Sequence, residues 1–161
     1  MKKYKVVIIL INLVLILFLF NKSVFEKEKL LKNGNLIFLK LAPVDPRSLM
    51  QGDYMDLNYE ISRISFYDSI PKRGYCIVRL DSNGIAQRIR MQPDPEPLKQ
   101  GEFPIVYTSG RWNINIGAES YFFEEGEAYK YDSAKYGGLI IDSLGNSLLV
   151  GLYDKNLKML E

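Results

Sequence analysis

The residues with the clearest potential for chemistry are carboxylates in two patterned stretches of the chain. The stretches are "PVDPRSLMQGDYMDLNYEIS" (43–62), called the first block, and "IGAESYFFEEG" (116–126), called the second block. Facing carboxylates could act as general acid and base, as in glycoside hydrolysis, or could bind Ca²⁺. The alternative is a structural role in turn capping, helix N-terminal charge and surface ion pairs. The candidates are Asp45, Asp53, Glu119, Glu124 and Glu125, and the structural role suits Asp45, Glu124 and Glu125 best.

Two features of the composition restrict this chemistry. The chain contains no histidine, which removes Ser-His-Asp and Cys-His catalysis and the usual zinc ligand sets. Its one cysteine, Cys76, cannot form an internal disulfide, and no base is evident that would activate the thiol. We therefore expect Cys76 to be a buried strand residue, and we predict no cofactor and no metal site.

A polar and aromatic surface is the other possible use of the two blocks. Arg47 could form a bidentate ion pair with Asp53 or Glu119 that fixes the local turn, or it could present its guanidinium to an anionic partner. The sequence "YFFEEG" would expose at least one large ring, and exposed aromatic rings are common anchors in interfaces. The alternative is that Tyr121 and Phe123 are core residues and only Phe122 is exposed.

The first block must be positioned by a turn followed by a strand. Asp45-Pro46 is typical of a helical start, and Gly52 ends the short turn that follows. Residues 54–62 then alternate strictly, which predicts a half-buried strand. We expect Tyr54 to point to the polar side and Tyr59 to pack inward. The predicted inward face is Met55, Leu57, Tyr59 and Ile61, and the predicted outward face is Asp56, Asn58, Glu60 and Ser62.

The rest of the body has many short strands and frequent turns. Residues 75–92 and 139–153 each read as a hairpin around an Asp-Ser-x-Gly turn. Residues 93–104, dense in Pro and Gly, predict an exposed connection, and residues 124–138 predict a short helix closed by two glycines. Further strands are predicted at residues 36–42 and 111–117. The expected fold class is mainly β, an antiparallel sheet or small barrel with one short external helix, preceded by an N-terminal transmembrane helix.

The N-terminus predicts a membrane anchor. The stretch from Val6 to Phe20 is apolar apart from Asn12, and no alanine precedes residue 42, so an uncleaved signal anchor is favoured over a cleaved signal peptide. Three lysines before the stretch predict a cytoplasmic N-terminus at the plasma or inner membrane, with the remaining chain extracytoplasmic. Asn12 either contacts a neighbouring membrane helix or is simply tolerated. The predicted division is a cytoplasmic stub and anchor (1–22), a juxtamembrane helix (23–35) that continues the anchor and that Ser23 could cap, and a β-rich domain (36–161).

Charge argues against one class of partner. The chain has 21 basic and 19 acidic residues, a net charge of +2, and the basic residues are not clustered on one stretch of the β-rich part. Nucleic-acid binding needs a clustered basic face, so we predict no nucleic-acid partner.

Two blocks after one apolar segment resemble the GDYXXLXY protein family. The first block carries Gly52-Asp53-Tyr54-x-x-Leu57-x-Tyr59 after Pro43-x-Asp45-Pro46-Arg47-x-Leu49, and the second carries Gly117-x-Glu119, an aromatic pair and Glu125-Gly126. The resemblance implies a membrane anchor, an extracytoplasmic domain and an association with multi-spanning membrane proteins, without an established activity. Gly52-Asp53 with Leu49 also resembles part of the signal peptidase core, but Val44 stands at the position of the catalytic serine.

These observations favour a non-catalytic, single-pass, membrane-tethered module that binds or assembles with a multi-spanning membrane or envelope partner. The alternative is a carboxylate-dependent envelope hydrolase, in which Asp53 and Glu119 would converge within roughly 5–9.5 Å. The predicted binding or motif residues are Asp45, Pro46, Arg47, Gly52, Asp53, Tyr54, Leu57, Tyr59, Gly117, Glu119, Phe122 and Glu125.

Overall fold

A long N-terminal helix precedes a set of short antiparallel strands in the computed structural model, which describes residues 2–42, 54–64, 70–110 and 112–161. The elements are α1 (Lys2–Asn33), β1 (Asn35–Lys40), β2 (Tyr54–Asp56), β3 (Arg73–Leu80), β4 (Ala86–Gln92), β5 (Glu102–Ser109), β6 (Ile114–Asn115), β7 (Ser120–Phe122), β8 (Tyr136–Ile141) and β9 (Ser147–Tyr153). Short 3-10 helices lie at Glu60–Ser62 and Ala128–Tyr131.

The strands form three antiparallel sheets with the orders β1-β8-β9, β2-β7 and β4-β3-β5-β6. Buried side chains of the β1-β8-β9 and β4-β3-β5-β6 sheets belong to one hydrophobic cluster, which includes Ile37 of β1 and Val78 of β3, and the partly buried Met55 and Tyr121 of the β2-β7 sheet pack against it. The mainly β prediction is therefore confirmed. Within the residues described, the sheets do not close into a barrel, so the open antiparallel arrangement is the one observed.

Helix α1 continues without a break from the apolar stretch to Asn33, two residues before β1. The helical continuation predicted after the apolar stretch is confirmed, but Ser23 is not its cap, because the helix passes through this residue without a break. The helix ends at Asn33, as its Asn-Gly sequence predicts, and the Gly34 N–H donates to the Leu30 carbonyl at 2.8 Å. Leu30 is only 8% exposed, so the last turn of α1 is packed against the domain.

Three hairpin turns share one device, in which an aspartate accepts hydrogen bonds from backbone N–H groups two and four residues later. Asp81 and Asp142 do this in the two Asp-Ser-x-Gly turns, as predicted, with Gly84 and Gly145 at positive φ of 79° and 85°. Asp154 forms a third copy after β9. The recurring motif is therefore turn chemistry.

Three strand predictions differ from the structure. The strand predicted for residues 111–117 is only Ile114–Asn115 among the described residues. The strand predicted for residues 54–62 ends at Asp56 and gives way to the 3-10 helix at Glu60–Ser62, which buries Ser62 instead of exposing it. Strand β5 begins at Glu102, inside the predicted connection, and contains Pro104. The external helix is a single 3-10 turn, and the two glycines expected to close it lie within β8.

Candidate functional site

The two blocks lie side by side through the two-stranded sheet of β2 and β7. Tyr54 is the cross-strand partner of Phe122, Met55 that of Tyr121, and Asp56 that of Ser120. Opposed residues of an antiparallel pair share one face, so the first of these pairs lies on the outward face and the second on the inward face. The exposure agrees, because Tyr54 is 36% and Phe122 73% exposed while Met55 and Tyr121 pack against the core.

After the two-stranded sheet of β2 and β7, here called the ribbon, the first block enters the core and is hydrogen-bonded to the second block again. The Leu57 N–H donates to the Glu119 carbonyl at 2.6 Å, and the Tyr59 hydroxyl donates to the Ala118 carbonyl at 2.6 Å. Leu57 and Tyr59 are 2% and 1% exposed, so the inward predictions for both are confirmed. Burial, followed by the nearby Glu119 charge, raises the pKa of Tyr59, so its hydroxyl stays protonated and remains a donor.

The tight turn of the second block is closed by its own carboxylate. Gly117 has a φ of +80°, and the Glu119 Oε1 accepts a hydrogen bond from the Ile116 N–H. The Ile116 carbonyl in turn accepts a 3.0 Å hydrogen bond from the Ser147 hydroxyl. Glu119 therefore stabilises the turn that presents the Ala118 carbonyl to Tyr59. The described contact of its side chain is thus a structural one.

A glycine of β8 makes room for the Tyr59 ring. A Cβ atom on Gly137 would lie 2.9 Å from the ring carbon Cε1 and 3.0 Å from the hydroxyl oxygen of Tyr59. Sequence reasoning assigned this glycine to a helix end, although a glycine inside a strand pattern also signals close approach of another group. Gly137 belongs to the site because it allows Tyr59 to reach Ala118.

Arg88 of β4 holds the chain that leaves the first block. Its Nη1 donates to the Ile61 carbonyl at 2.8 Å and to the Arg63 carbonyl at 2.6 Å. Lys40 of β1 forms a 2.9 Å ion pair with Glu60 of the same segment. Neither contact has a local sequence signal, because the partners lie far apart along the chain.

The outward face of the ribbon carries two adjacent aromatic rings, here called the aromatic pair, Tyr54 and Phe122. Their ring centroids are 5.8 Å apart with an interplanar angle of 41°. On the inward side, Tyr121 and Phe123 pack on Tyr131 with centroid separations of 5.1 and 5.5 Å. Phe122 is thus the exposed ring of the "YFF" sequence, as one of the two readings predicted, and its neighbours support it from beneath.

Other predicted residues have different positions. Glu125 is exposed in the turn that follows β7, next to Gly126 at a φ of +83°. Asp45, Pro46, Arg47, Gly52 and Asp53 lie outside the described residues, as do the Arg47 ion pair and the separation of Asp53 from Glu119. Among the residues that are described, no three His, Cys, Asp or Glu side chains cluster in a way that could hold a metal ion.

A buried acidic residue with two arginine partners was not predicted from the sequence. The Glu102 side chain is only 1% exposed, and its carboxylate lies 3.2 Å from Arg79 Nη2 and 2.8 Å from Arg90 Nη1. The Lys99 N–H donates to the same carboxylate at 3.0 Å. This N–H, followed by the two arginines, lowers the pKa of Glu102 against the opposing effect of burial. A carboxylate held by three donors from neighbouring segments links the loop before β5 to β3 and β4.

The fold and the site together define a chain with one N-terminal helix of membrane-spanning length and an antiparallel β domain in which two sequence blocks are bonded to each other. The family model described as GDYXXLXY protein matches residues 16–152. The chain belongs to the GDYXXLXY protein family, as its two blocks indicate. No curated protein and no solved structure matches the chain.

Proposed function

We propose that this chain is a single-pass membrane protein whose extracytoplasmic β domain is a non-catalytic binding or assembly module for a membrane or envelope partner. The observation that carries the proposal is the aromatic pair, an exposed apolar surface held on a short ribbon that the two family blocks fix in place. Its function is to give a tethered domain a contact point for another protein.

The membrane tether is supported by the properties of α1. The most apolar 18-residue window of residues 4–33 has a mean hydropathy of 2.4. None of that window is buried against the rest of the described protein. A core helix of a soluble domain would be mostly buried, whereas a helix in lipid has its apolar surface covered by hydrocarbon. Lys2, Lys3 and Lys5 support a cytoplasmic N-terminus and hence an extracytoplasmic domain.

The binding role is supported by the rigidity of the aromatic pair. Tyr54 and Phe122 lose little conformational freedom on binding, because each has two side-chain torsions and the ribbon beneath them is anchored to the core. Large rings on a preorganised surface are the usual anchors of protein interfaces.

The described carboxylates of the two blocks support the same role. Glu119, the carboxylate that a hydrolase would most need, accepts the Ile116 N–H and closes a turn. Asp56 is exposed on the ribbon of β2 and β7, and Glu125 is exposed in the turn after β7. An arrangement in which acids stabilise backbone turns fits a binding surface better than acid-base catalysis.

A pulldown with crosslinking from intact membranes tests the proposal. We expect Phe122→Ala and Tyr54→Ala to reduce recovery of a co-purifying membrane or envelope protein by about tenfold or more, the size of a typical hot-spot effect. Ile89→Ala is the matched control, because it removes an exposed apolar side chain from β4, and it should leave recovery unchanged. Equal recovery with wild type and both aromatic variants would overturn the proposal.

A further inference from the structure

Asn12 is a polar side chain in the middle of the apolar part of α1. It is the one polar residue between Val6 and Phe20. Its Nδ2 reaches the Ile8 carbonyl at 3.4 Å, a long hydrogen bond, and among the described residues no donor contacts its Oδ1. In hydrocarbon no water can replace the missing donor, so this oxygen favours a polar group on a neighbouring helix.

Asn21 provides a comparison within the same helix. Its Nδ2 donates to the Leu17 carbonyl at 2.7 Å, and it follows the last residue of the apolar stretch, where water and headgroups can satisfy its oxygen. Asn21 follows Asn12 by nine positions, about two and a half turns at 3.6 residues per turn, so the two side chains point in opposite directions. The unsatisfied amide therefore marks one face of α1.

The domain lies on that same face. Leu30 follows Asn12 by 18 positions, about five complete turns, and it is the buried residue through which the end of α1 packs on the domain. Ser23, about three turns after Asn12, lies between them on this face.

A groove lies between the domain and the part of α1 that follows the apolar stretch, from Ser23 onward. It has a volume of about 920 Å³ and is lined by Ser23, Lys27 and Leu30 of α1 and by Val106 and Leu144 of the domain. Val106 and Leu144 are 40% and 65% exposed, so the wall opposite the helix places two apolar side chains among polar ones such as Asn115 and Asn146.

The position of the domain selects the kind of occupant. Paired helices lie roughly 8–10 Å apart, so a second copy of α1 packed in parallel on the Asn12 face would continue into the space that the domain occupies at Leu30. A helix that leaves the bilayer and turns near the level of Ser23 meets no such obstacle. A transmembrane helix with a short external segment, as in a protein with several spans, has this shape.

We propose that Asn12 and the groove form one continuous binding face for a transmembrane helix of a partner membrane protein. Asn12 hydrogen-bonds a polar side chain of that helix within the bilayer, and the groove receives the short extracytoplasmic segment attached to it. This inference rests on the proposed function, and it adds the place on the protein where the partner binds.

Site-specific photocrosslinking of the full chain in its native membranes tests the inference. A photoreactive residue replaces Ile16, on the Asn12 face, or Val14, on the opposite face, and a third probe replaces Leu144 in the groove. We expect the Ile16 and Leu144 probes to capture the same membrane protein, and the Val14 probe to capture lipid. Asn12→Leu should reduce the Ile16 adduct at least fivefold, while Asn21→Leu should leave it unchanged. Asn12→Leu makes the span more apolar, so a loss of adduct does not arise from failed insertion.

Several outcomes would overturn the inference. They are equal capture from the Ile16 and Val14 probes, an adduct of two copies of this chain, different proteins captured in the bilayer and the groove, or an Ile16 adduct that Asn12→Leu does not change. A parallel probe at Phe122 separates this result from the proposed function. Capture at Phe122 without capture at Ile16 rejects the helix site alone, and capture at neither position rejects both proposals.

Discussion

The hydroxyl of Tyr59 donates a 2.6 Å hydrogen bond to the carbonyl of Ala118, and this bond joins the two blocks through residues that are 59 positions apart in the sequence. Both residues are almost fully buried. Tyr59 follows the end of β2 by three residues and Ala118 precedes β7 by two, so the bond anchors to the core the two strands that carry the aromatic pair.

Removing that hydroxyl should destabilise the domain. Tyr59→Phe leaves the buried Ala118 carbonyl without its donor, and we expect a loss of about 1–3 kcal/mol in the free energy of unfolding. Thermal or denaturant unfolding of the full chain in detergent measures it. Tyr107→Phe is the matched control, because Tyr107 is equally buried but its hydroxyl makes only a long, 3.4 Å hydrogen bond to the Pro71 carbonyl. The Tyr107→Phe variant should therefore lose less free energy of unfolding than the Tyr59→Phe variant. A larger loss for Tyr107→Phe would contradict this ranking.

Adding a methyl group at Gly137 should also destabilise the domain, through the Tyr59 ring. The new Cβ would lie 2.9 Å from a ring carbon, and overpacking of this kind typically costs about 1–3 kcal/mol. The test is a double-mutant cycle with Tyr59→Phe, which should give a coupling energy of about 0.5 kcal/mol or more because the residues touch. Gly101→Ala is the control. It introduces strain at a φ of +78° but meets no atom within 4 Å, so its cycle with Tyr59→Phe should be additive.

The ionised Glu102 should make stability depend on pH in the acid range. Its pKa is lower in the folded protein than in the unfolded chain, so its contribution is complete above the ordinary glutamate pKa and is lost as the pH falls through the folded value. We expect Glu102→Gln to lower the Tm at neutral pH and the difference from wild type to narrow as the solution is acidified. Melting curves across the acid range provide the measurement, with exposed Glu125→Gln as the control. A difference that stays constant at every pH would show that the charge of Glu102 is not its source.

Local patterns predicted the parts of the fold that depend on neighbouring residues. The aspartate turns were predictable because Asp81 and Asp142 bond N–H groups within four positions. The inward set of the first block was also predictable, since alternation alone fixes which side chains can reach the core. The end of β2 at Asp56 was not, because it is set by β7, a partner only three residues long and remote in sequence.

The contacts that organise the site are non-local, and this is why they were missed. Burial of Glu102 requires Arg79 and Arg90 from two other strands, so the residue alone resembles an exposed acid. The task of Gly137 depends on a ring contributed by Tyr59 from a distant part of the chain. The sequence could identify Tyr59 as inward-facing, but the tertiary structure was needed to identify its acceptor.

The proposed permanent tether places the β domain on the extracytoplasmic side, and this side can be measured directly with an introduced thiol. Burial raises the pKa of the natural Cys76 thiol to about 12, so the folded wild-type chain should react negligibly with maleimide. Ser133→Cys adds an exposed thiol on the domain, and Tyr4→Cys adds one at the N-terminal end of α1, before the apolar stretch that begins at Val6.

The measurement is labelling of each variant with a membrane-impermeant maleimide on intact cells or spheroplasts. We expect the Ser133→Cys variant to be labelled as a full-length, membrane-bound chain, and the Tyr4→Cys variant to be labelled only after the cells are permeabilised. Labelling of the Tyr4→Cys variant but not of the Ser133→Cys variant in intact cells, or a domain released after cleavage near residue 23, would contradict the claim.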